Sequence, residues 1–290
     1  MSASASALET TRSETTRKRS TPWWIYIILG LLALFFLVPV YVAIMTSLKS
    51  IQEVTNSSIW EPPKSITFDN FRKAFDVLGP GFRNSFLLVI PGVIISAVLG
   101  SMNGYVLSKW RFPGSELIFT LLLFGMFIPY QSILIPLVQF MQSIPGLYAS
   151  IPGLILVHVI YGIPITTLIF RNYYVGVPTE LIESGTVDGA GFFAIYKDIV
   201  FPLSLPAFVV VMIWQFTAIW NEFLFAVTLN SNPASQPVTV ALAGLGSSQS
   251  GTDYGMQMAG SLMTALPTLL VYIFLGRYFI RGLLAGSVKG

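Results

Sequence analysis

The sequence predicts an all-α, polytopic membrane protein with six transmembrane helices, and three observations support this fold class. The 290 residues are 54% hydrophobic and only 10% charged, and the mean hydropathy is +0.72. A soluble domain could not cover so much apolar material with polar surface. The apolar residues form six blocks, each near the ~20 residues that a helix needs to cross a bilayer. Polar segments separate these blocks.

The first twenty residues precede the apolar blocks and are predicted to form a disordered cytoplasmic tail. Residues 1–20 are rich in Ser and Thr, lack apolar periodicity and end near three consecutive basic residues. The first block is too long for the apolar part of a signal peptide and lacks a small-residue cleavage site. We therefore interpret residues 21–290 as one six-span domain, with spans at about 23–47, 84–107, 116–141, 151–174, 202–229 and 258–284.

Six spans place both termini on the same side of the membrane, and the basic residues indicate which side. If the N-terminus is cytoplasmic, 11 of the 16 Lys and Arg residues lie in inner segments and 5 in the first outer segment. Inner segments are usually the more basic ones, so both termini are predicted to be cytoplasmic. The net charge of +3 is too small to indicate a nucleic-acid partner, and the absence of Cys excludes disulfides and thiolate metal sites.

The first outer segment contains a predicted amphipathic helix at residues 67–78. Apolar residues recur at helical spacing from Phe68 to Leu78, with charged residues between them. We expect Thr67 to cap this helix and residues 79–81, Gly-Pro-Gly, to end it. The helix could lie on the outer membrane face or pack on other spans, and the sequence does not decide between the two.

A long polar segment separates the fourth and fifth spans, and it should lie in the cytoplasm. It contains 4 of the 13 acidic residues of the chain. Pro178 suits a helix start, Gly189 and Gly191 should break that helix, and residues 192–200 should form a second short helix before Pro202 begins span five. The apolar residues of this hairpin either bind a partner or fold back on the ends of the spans; they are Leu181, Ile182, Ala190, Phe192, Phe193, Ile195 and Ile199.

The same segment resembles the EAA loop of ABC importer permeases, which reads Glu-Ala-Ala, three residues, Gly, nine residues, Ile-x-Leu-Pro. The four residues that fit this spacing are Glu183, Gly189, Ile199 and Pro202. Ser184 and Gly185 stand where the motif has two alanines, and Phe201 stands where it has leucine. A glycine at 185 is expected to loosen the helix, since Gly costs ~1 kcal/mol relative to Ala.

The resemblance extends from about residue 23 to the end of the chain and points to the maltose-type carbohydrate uptake permeases. The residues that carry it are Asn70-Phe71, Arg83 to Phe86, Ile128 to Gln131, Ile135 to Leu137 and the ending Gly276 to Gly290. The stretch from Trp214 to Phe225 is more similar to the glucose/mannose and glucosyl-glycerol branch.

The resemblance implies a type I ABC importer permease fold, in a bacterial or archaeal inner membrane, without catalytic activity or a bound cofactor. The implied partners are a second six-span permease, two cytoplasmic ATPase subunits that use ATP-Mg, and an extracytoplasmic binding protein. That protein would deliver a monosaccharide, disaccharide or glucoside. The residues implied to contact an ATPase are Glu180, Glu183, Ser184, Gly185, Asp188, Gly189, Ala190, Ile199 and Pro202 in the loop, and Ser287, Val288, Lys289 and Gly290 in the tail.

The last external segment, residues 230–257, is rich in Gly, Ser and Asn and is implied to contact the binding protein through residues such as Gly244, Gly246 and Asp253. A flexible linker is the alternative. Loops of this length are often functional, which favours the partner contact.

Polar residues within spans are costly and usually face a cavity or another helix, so they are the candidates for a substrate path. These candidates are Tyr130, Gln131, His158, Trp214, Gln215, Trp220, Asn221 and Glu222. For each of them an interhelical hydrogen bond is the alternative. Glu222 lies about 30 Å beyond Pro202 along a helix, near the outer surface. Gly100 and Gly104 predict at most a close helix contact.

Two other functional classes stay open from the sequence alone. An ion-coupled secondary transporter would need acids at mid-depth, and Glu222 is the only acid well inside an apolar block. A non-transporting scaffold would not need polar residues in several spans. The chain has no phosphate-binding Gly-x-x-x-x-Gly-Lys-[Ser/Thr] loop, so it is not expected to hydrolyse ATP by that means.

Overall fold

The computed structural model describes residues 22–110, 112–245 and 253–285, with side chains through residue 278. All regular secondary structure in these ranges is helical, which confirms the predicted fold class. The chain forms two structural units, the first ending at Val42 and the second beginning at Ala43.

Helix α1, Trp23–Ser47, begins in the first unit, ends in the second, and has the bounds predicted for the first span. Its 25 residues extend about 38 Å, enough to cross the hydrocarbon core of a bilayer. Leu31, Phe35 and Phe36 are 63%, 72% and 73% exposed. Apolar side chains with this exposure suit a lipid environment.

After the end of α1, the second unit continues with the short helix α2, Ile51–Asn56, and the long helix α3, Asp69–Lys109. The prediction of a separate helix at 67–78 is wrong, because α3 continues without a break through Gly79, Pro80 and Gly81. Packing on other helices of the unit stabilises α3 on both sides of Pro80. Leu78 is fully buried, and a Cβ on Gly81 would lie 3.0 Å from Cα of Val238.

The predicted third span is a broken one. Helix α4, Ser115–Phe124, continues as a 3₁₀ turn to Phe127, and a second 3₁₀ turn, Tyr130–Ile133, leads into α5, Leu134–Ser143. The two halves meet at an angle of 88°. Pro129 lies at the break, and Ile128 before it is extended, with ψ of 117°. Proline disfavours helical conformation in the preceding residue, so the break has a local cause.

Helix α6, Ile151–Val175, matches the predicted fourth span and begins at Ser150, whose side chain accepts a hydrogen bond from the backbone N–H of Gly153. α6 packs closely on α3 through Gly100 and Gly104. A Cβ on Gly104 would lie 2.7 Å from Cβ of Phe170. This confirms the predicted small-residue contact between spans.

The polar hairpin and the fifth span follow as a series of short helices. They are α7 (Glu180–Val187), α8 (Phe192–Ile195), a π-helical turn (Tyr196–Val200), α9 (Phe201–Leu203), α10 (Leu205–Trp220) and α11 (Leu224–Leu229). Pro202 does not mark the start of span five as predicted, because α9 continues to Leu203. The chain instead turns by 77° between α9 and α10. Ser204 lies at the turn, and Pro206 suits the first turn of α10.

The remaining elements are a 3₁₀ turn at Pro233–Ser235, α12 (Val238–Leu245) and α13 (Tyr254–Ala285). The segment after span five, which is predicted to be external, is therefore partly helical in its described part. In the described part of the chain, four helices are long and apolar enough to span a membrane, and there are up to six candidate spans when each bent pair is counted as one. This agrees with the predicted number.

Among the described residues, the buried apolar side chains of the second unit form two clusters. One brings together the N-terminal part of α3, helices α5 and α6, and helices α10 to α13. The other, the hairpin cluster, joins the C-terminal halves of α3 and α6 to the hairpin and the start of α10; it contains Ala97, Tyr105, Phe170, Tyr174, Ile182, Ile195, Val200, Ala207, Phe208 and Val211.

Candidate functional site

The hairpin of residues 178–201 turns at Gly189, the glycine of the quoted motif. Gly189 has φ of 84°, a left-handed conformation that glycine adopts without strain. Its N–H donates to the carbonyl of Thr186 at 3.0 Å, and the N–H of Ala190 donates to the carbonyl of Gly185 at 2.9 Å. This pair of bonds is the Schellman arrangement that ends helices. The motif spacing therefore has a physical cause at its central glycine.

Gly185 lies where α7 crosses the π-helical turn. The residue is buried, and a Cβ there would lie 2.9 Å from Cδ1 of Ile199. Cδ1 is the mobile end of the Ile199 side chain, so a Cβ here would need only a shift of that side chain. The loosening expected from a helical glycine stays a prediction.

Most of the apolar hairpin residues fold back on the spans. Ile182 and Ile195 belong to the hairpin cluster, and Ala190, Phe192 and Ile199 pack against it. Leu181 and Phe193 are 40% and 69% exposed. Val187 is 86% exposed and was not predicted, since a single apolar residue before an acid gives no periodic signal. Folding back on the spans therefore applies to the five packed residues, and binding of a partner by the exposed ones stays a prediction.

The polar residues of the hairpin remain on its surface. Glu180, Glu183, Ser184 and Asp188 are exposed, and the described side chains form no ion pair with any of the three acids. The hairpin begins next to the end of α3, where Nζ of Lys109 donates to the carbonyl of Val177 at 2.5 Å. Glu180 adds a Coulombic attraction to this lysine. The exposed acids form a negative edge beside exposed apolar side chains.

A buried group of hydroxyls connects the hairpin to two spans. Oγ of Ser101 lies 2.6 Å from Oη of Tyr174, and Oη of Tyr196 donates to Oγ of Ser101 at 2.9 Å. We call Ser101, Tyr174 and Tyr196 the hydroxyl cluster. No sequence pattern predicted this cluster, although the small-residue pair Gly100 and Gly104 marked its position on α3.

Several residues of the predicted substrate path meet near the junction of α10 and α11. Both carboxylate oxygens of Glu222 accept hydrogen bonds from backbone N–H groups at the start of α11, those of Phe225 at 2.7 Å and Ala226 at 3.2 Å. Nε2 of His158 lies 3.8 Å from Oε2 of Glu222. Tyr130 packs its ring on Phe225, with centroids 4.9 Å apart. Glu222 therefore caps a helix and also approaches α6.

Two candidates for the substrate path, Trp220 and Gln215, lie in contacts between helices. Such a contact was the alternative to a role in the path. Trp220 is 1% exposed, and its Nε1 donates to the carbonyl of Thr264 at 3.0 Å. Gln215 is 3% exposed and adjoins Gly162 of α6. Gln131, Trp214 and Asn221 have exposed side chains.

The external segment after span five is held by named polar contacts. Nδ2 of Asn84 donates to the carbonyls of Ala234 at 2.9 Å and Gln236 at 3.1 Å. Oγ of Ser85 accepts from the N–H of Val238 at 2.8 Å. The part from 230 to 245 is therefore not a flexible linker.

Asp253, predicted to contact a binding protein, accepts a hydrogen bond from the N–H of Met256 at 3.0 Å, and thereby caps α13. Gly244 and Leu245 are the last two residues of α12. Gly246 and the tail residues Ser287, Val288, Lys289 and Gly290 lie outside the described residues. Within the described part of the chain, no group of His, Asp and Glu could hold a metal ion.

Residues 92–282 match the family described as "Binding-protein-dependent transport system inner membrane component". The chain is 38% identical over 270 residues to the xylose/arabinose import permease protein XacI of Haloferax volcanii, covering 86% of this chain and 87% of that one. It is 33% identical over 274 residues to the glucose import system permease protein GlcU of Saccharolobus solfataricus, covering 91% and 95%.

Among solved structures, the fold is similar to a chain of a bacterial ABC transporter involved in the import of the acidic polysaccharide alginate. The TM-score is 0.76 at 22% identity, over 89% of this chain and 95% of that one. At this identity the likeness concerns the fold alone. It agrees with the permease fold implied by the motifs.

Proposed function

The chain belongs to the family of binding-protein-dependent transport system inner membrane components, and on that premise we propose that it is the permease subunit of an ATP-driven carbohydrate importer. It is a transport component rather than an enzyme. The family match carries the proposal, because residues 92–282 include the hairpin and most of the helices that would line a path. The match also favours this function over ion-coupled transport.

A sugar is the substrate class that the relatives support. One relative is named for xylose and arabinose import and another for glucose import, each similar over more than four fifths of this chain. We infer a monosaccharide or small saccharide, and the glucose/mannose or glucosyl-glycerol branch stays a prediction. Gln131, Trp214 and Asn221 are the preferred path residues, because their exposed aromatic and amide groups could contact a sugar.

The proposed partners are a second six-span permease, two cytoplasmic ATPase subunits and an extracytoplasmic sugar-binding protein. ATP and Mg²⁺ would be used by the ATPases, and this chain would hold no cofactor. In this arrangement both termini are cytoplasmic, as the distribution of basic residues favours. The tail, residues 287–290, would reach an ATPase, and the external segment that contains Gly244, Gly246 and Asp253 would face the binding protein.

The hairpin is the proposed contact with an ATPase. Its core side is anchored in the hairpin cluster, while Leu181, Val187 and Phe193 are exposed beside a negative edge. A partner that combines an apolar groove with basic residues would bury the three side chains and neutralise Glu183. At roughly 25 cal/mol per Å² of buried apolar area, these side chains could supply several kcal/mol of binding free energy. Movement of the bound ATPases would then move the spans through the hairpin.

The test is the binding of a cognate ATPase subunit to the purified permease in detergent or nanodiscs. Glu183→Lys reverses the charge at the centre of the proposed contact and should weaken binding at least tenfold, because it replaces an attraction with a repulsion. Glu61→Lys is the matched control, since it makes the same charge change on an exposed residue of the first outer segment.

Sugar uptake by proteoliposomes that contain the full complex gives the second readout. We expect uptake to require ATP, to fall in the Glu183→Lys complex and to persist in the Glu61→Lys complex. Uptake that followed a proton or sodium gradient without ATP would refute the proposed function. Equal ATPase binding by the two variants would refute the role of the hairpin and leave the sugar permease proposal intact.

A further inference from the structure

In the hydroxyl cluster, Tyr196 of the hairpin donates a hydrogen bond to Ser101 of α3, and Ser101 is in turn hydrogen-bonded to Tyr174 of α6. Ser101 belongs to α3, Tyr174 to α6 and Tyr196 to the π-helical turn of the hairpin. Ser101 and Tyr174 are both 0% exposed. A buried hydroxyl without a partner is costly, so the three groups favour one relative arrangement of the three elements.

The two spans in this contact are close-packed next to the cluster. Gly100 and Gly104 flank Ser101 on α3, and a Cβ on either residue would overlap with α6 at Thr166 or Phe170. Because close-packed helices deform little, a force applied at Ser101 should move α3 and α6 together. Movement of the hairpin would therefore be transmitted to α3 and α6 as one rigid pair.

Other polar contacts hold the two ends of the hairpin to the same spans. Lys109 of α3 binds the carbonyl of Val177 at the start. Oη of Tyr173 on α6 donates to the carbonyl of Leu203 at 2.7 Å, directly before the 77° turn. That carbonyl lacks a helical partner because the helix axis changes direction there, and the tyrosine satisfies it.

Between these two ends the hairpin meets the spans through apolar side chains of the hairpin cluster. Apolar contacts hold surfaces together, but they do not fix a direction, because the hydrophobic effect is non-directional. Hydrogen bonds do fix a direction. Tyr196 also begins a π-helical turn, and such turns are rare and frequent at functional sites.

We propose that Tyr196, Ser101 and Tyr174 form the joint that transmits movement of the ATPase-bound hairpin to spans two and four. Tyr196 and Ser101 are positioning residues: they contact neither ATP nor sugar, and they set how far the spans follow the hairpin. This inference rests on the proposed function, because it requires an ATPase on the hairpin. It predicts that breaking the joint uncouples ATP hydrolysis from transport while the complex stays assembled.

The test uses the full complex in proteoliposomes and measures sugar transported per ATP hydrolysed. Tyr196→Phe removes one hydroxyl and keeps the ring, and Ser101→Ala removes the shared acceptor. A hydrogen bond shifts a conformational equilibrium by about two- to tenfold, so each variant should lower transport per ATP by about that factor. The double variant should be no worse than Ser101→Ala alone, because Ser101→Ala already breaks the hydrogen bond that Tyr196→Phe removes.

Tyr272→Phe is the matched control, since this exposed tyrosine on α13 has no described hydrogen bond at its hydroxyl. ATPase affinity and subunit stoichiometry should equal the wild-type values in all variants. Thermal unfolding of the complex separates a loss of coupling from a loss of folding. If Ser101→Ala does not assemble, Tyr196→Phe alone decides, because it leaves the ring contacts in place.

Wild-type transport per ATP in Tyr196→Phe would overturn the inference, as would effects of the two variants that multiply in the double variant. Neither result would affect the proposed function. A wild-type permease that binds no ATPase would instead overturn the proposed function and, with it, the inference.

Discussion

Alanine at position 189 tests whether the left-handed turn holds the hairpin in shape. Gly189 has φ of 84°, whereas Gly191, two residues later, has φ of −76° and ψ of 170°. A Cβ at either position would meet nothing within 4 Å. The two substitutions therefore differ in backbone strain and not in crowding. Only Gly189→Ala places a side chain in a conformation that costs about 1–2 kcal/mol for an L-residue.

This cost can be measured by hydrogen exchange at the N–H of Ala190, which donates to the carbonyl of Gly185 in the turn. About 1–2 kcal/mol corresponds to roughly a five- to thirtyfold increase in the population that opens the bond. We expect exchange at Ala190 to accelerate by that factor in Gly189→Ala and to change less than twofold in Gly191→Ala. ATPase affinity should fall in parallel in the first variant only. Equal exchange rates in the two variants would refute the role assigned to the left-handed turn.

Three further variants test the contacts that position the spans and the external segment. Asn84→Ala leaves two carbonyls of the external segment unpaired, at a cost of about 1–3 kcal/mol, and should accelerate proteolysis within residues 233–245; unchanged cleavage would contradict the anchoring role. Trp220→Phe removes a buried hydrogen bond and should lower the free energy of unfolding by about 1–3 kcal/mol, measured by thermal unfolding. Its control is Trp214→Phe, which changes a half-exposed residue and should alter the free energy of unfolding by less than about 0.5 kcal/mol. Similar thermal shifts in the two variants would argue against this difference. Ser150→Ala removes the N-cap of α6 and should cost about 1 kcal/mol in the same assay, and an unchanged midpoint would show that the cap contributes nothing.

Composition and helix signals predict the parts of the fold that depend on local chemistry. α1 and α6 lie within one residue of their predicted bounds, because a long apolar run with a clear start fixes a span. The broken spans were not predicted, since apolar composition reports that a segment is in the membrane but not its direction. The sequence does contain Pro129 and Pro206 at the two breaks, and these residues are the signals that a prediction could have used.

The helix break predicted at residues 79–81 failed for the opposite reason. Glycine and proline disfavour a helix locally, but burial of Leu78 and the fit of Gly81 against Val238 favour a continuous one. Packing in the tertiary structure thus outweighs the local preference. The hairpin shows the same limit of local signals. The spacing of its motif predicts the turn, but it does not predict that most of the apolar residues pack against the spans.

The hydroxyl cluster illustrates what sequence spacing cannot predict. Ser101 and Tyr174 are 73 residues apart in the chain, and neither residue type is unusual in a transmembrane helix. Only the close approach of α3 and α6 brings their hydroxyls together. The Glu222 contact with His158 has the same origin, because both were predicted individually but no pattern paired them.

The most direct test of the account is ATP hydrolysis and sugar accumulation in proteoliposomes that contain this permease, its partner permease and the ATPases. Binding proteins loaded with glucose, xylose, mannose or a glucoside would be added one at a time. We expect one loaded binding protein to stimulate ATP hydrolysis strongly and its sugar to accumulate inside the vesicles. Sugar accumulation without ATP would contradict this function. So would a result in which no loaded binding protein stimulates hydrolysis and no sugar accumulates.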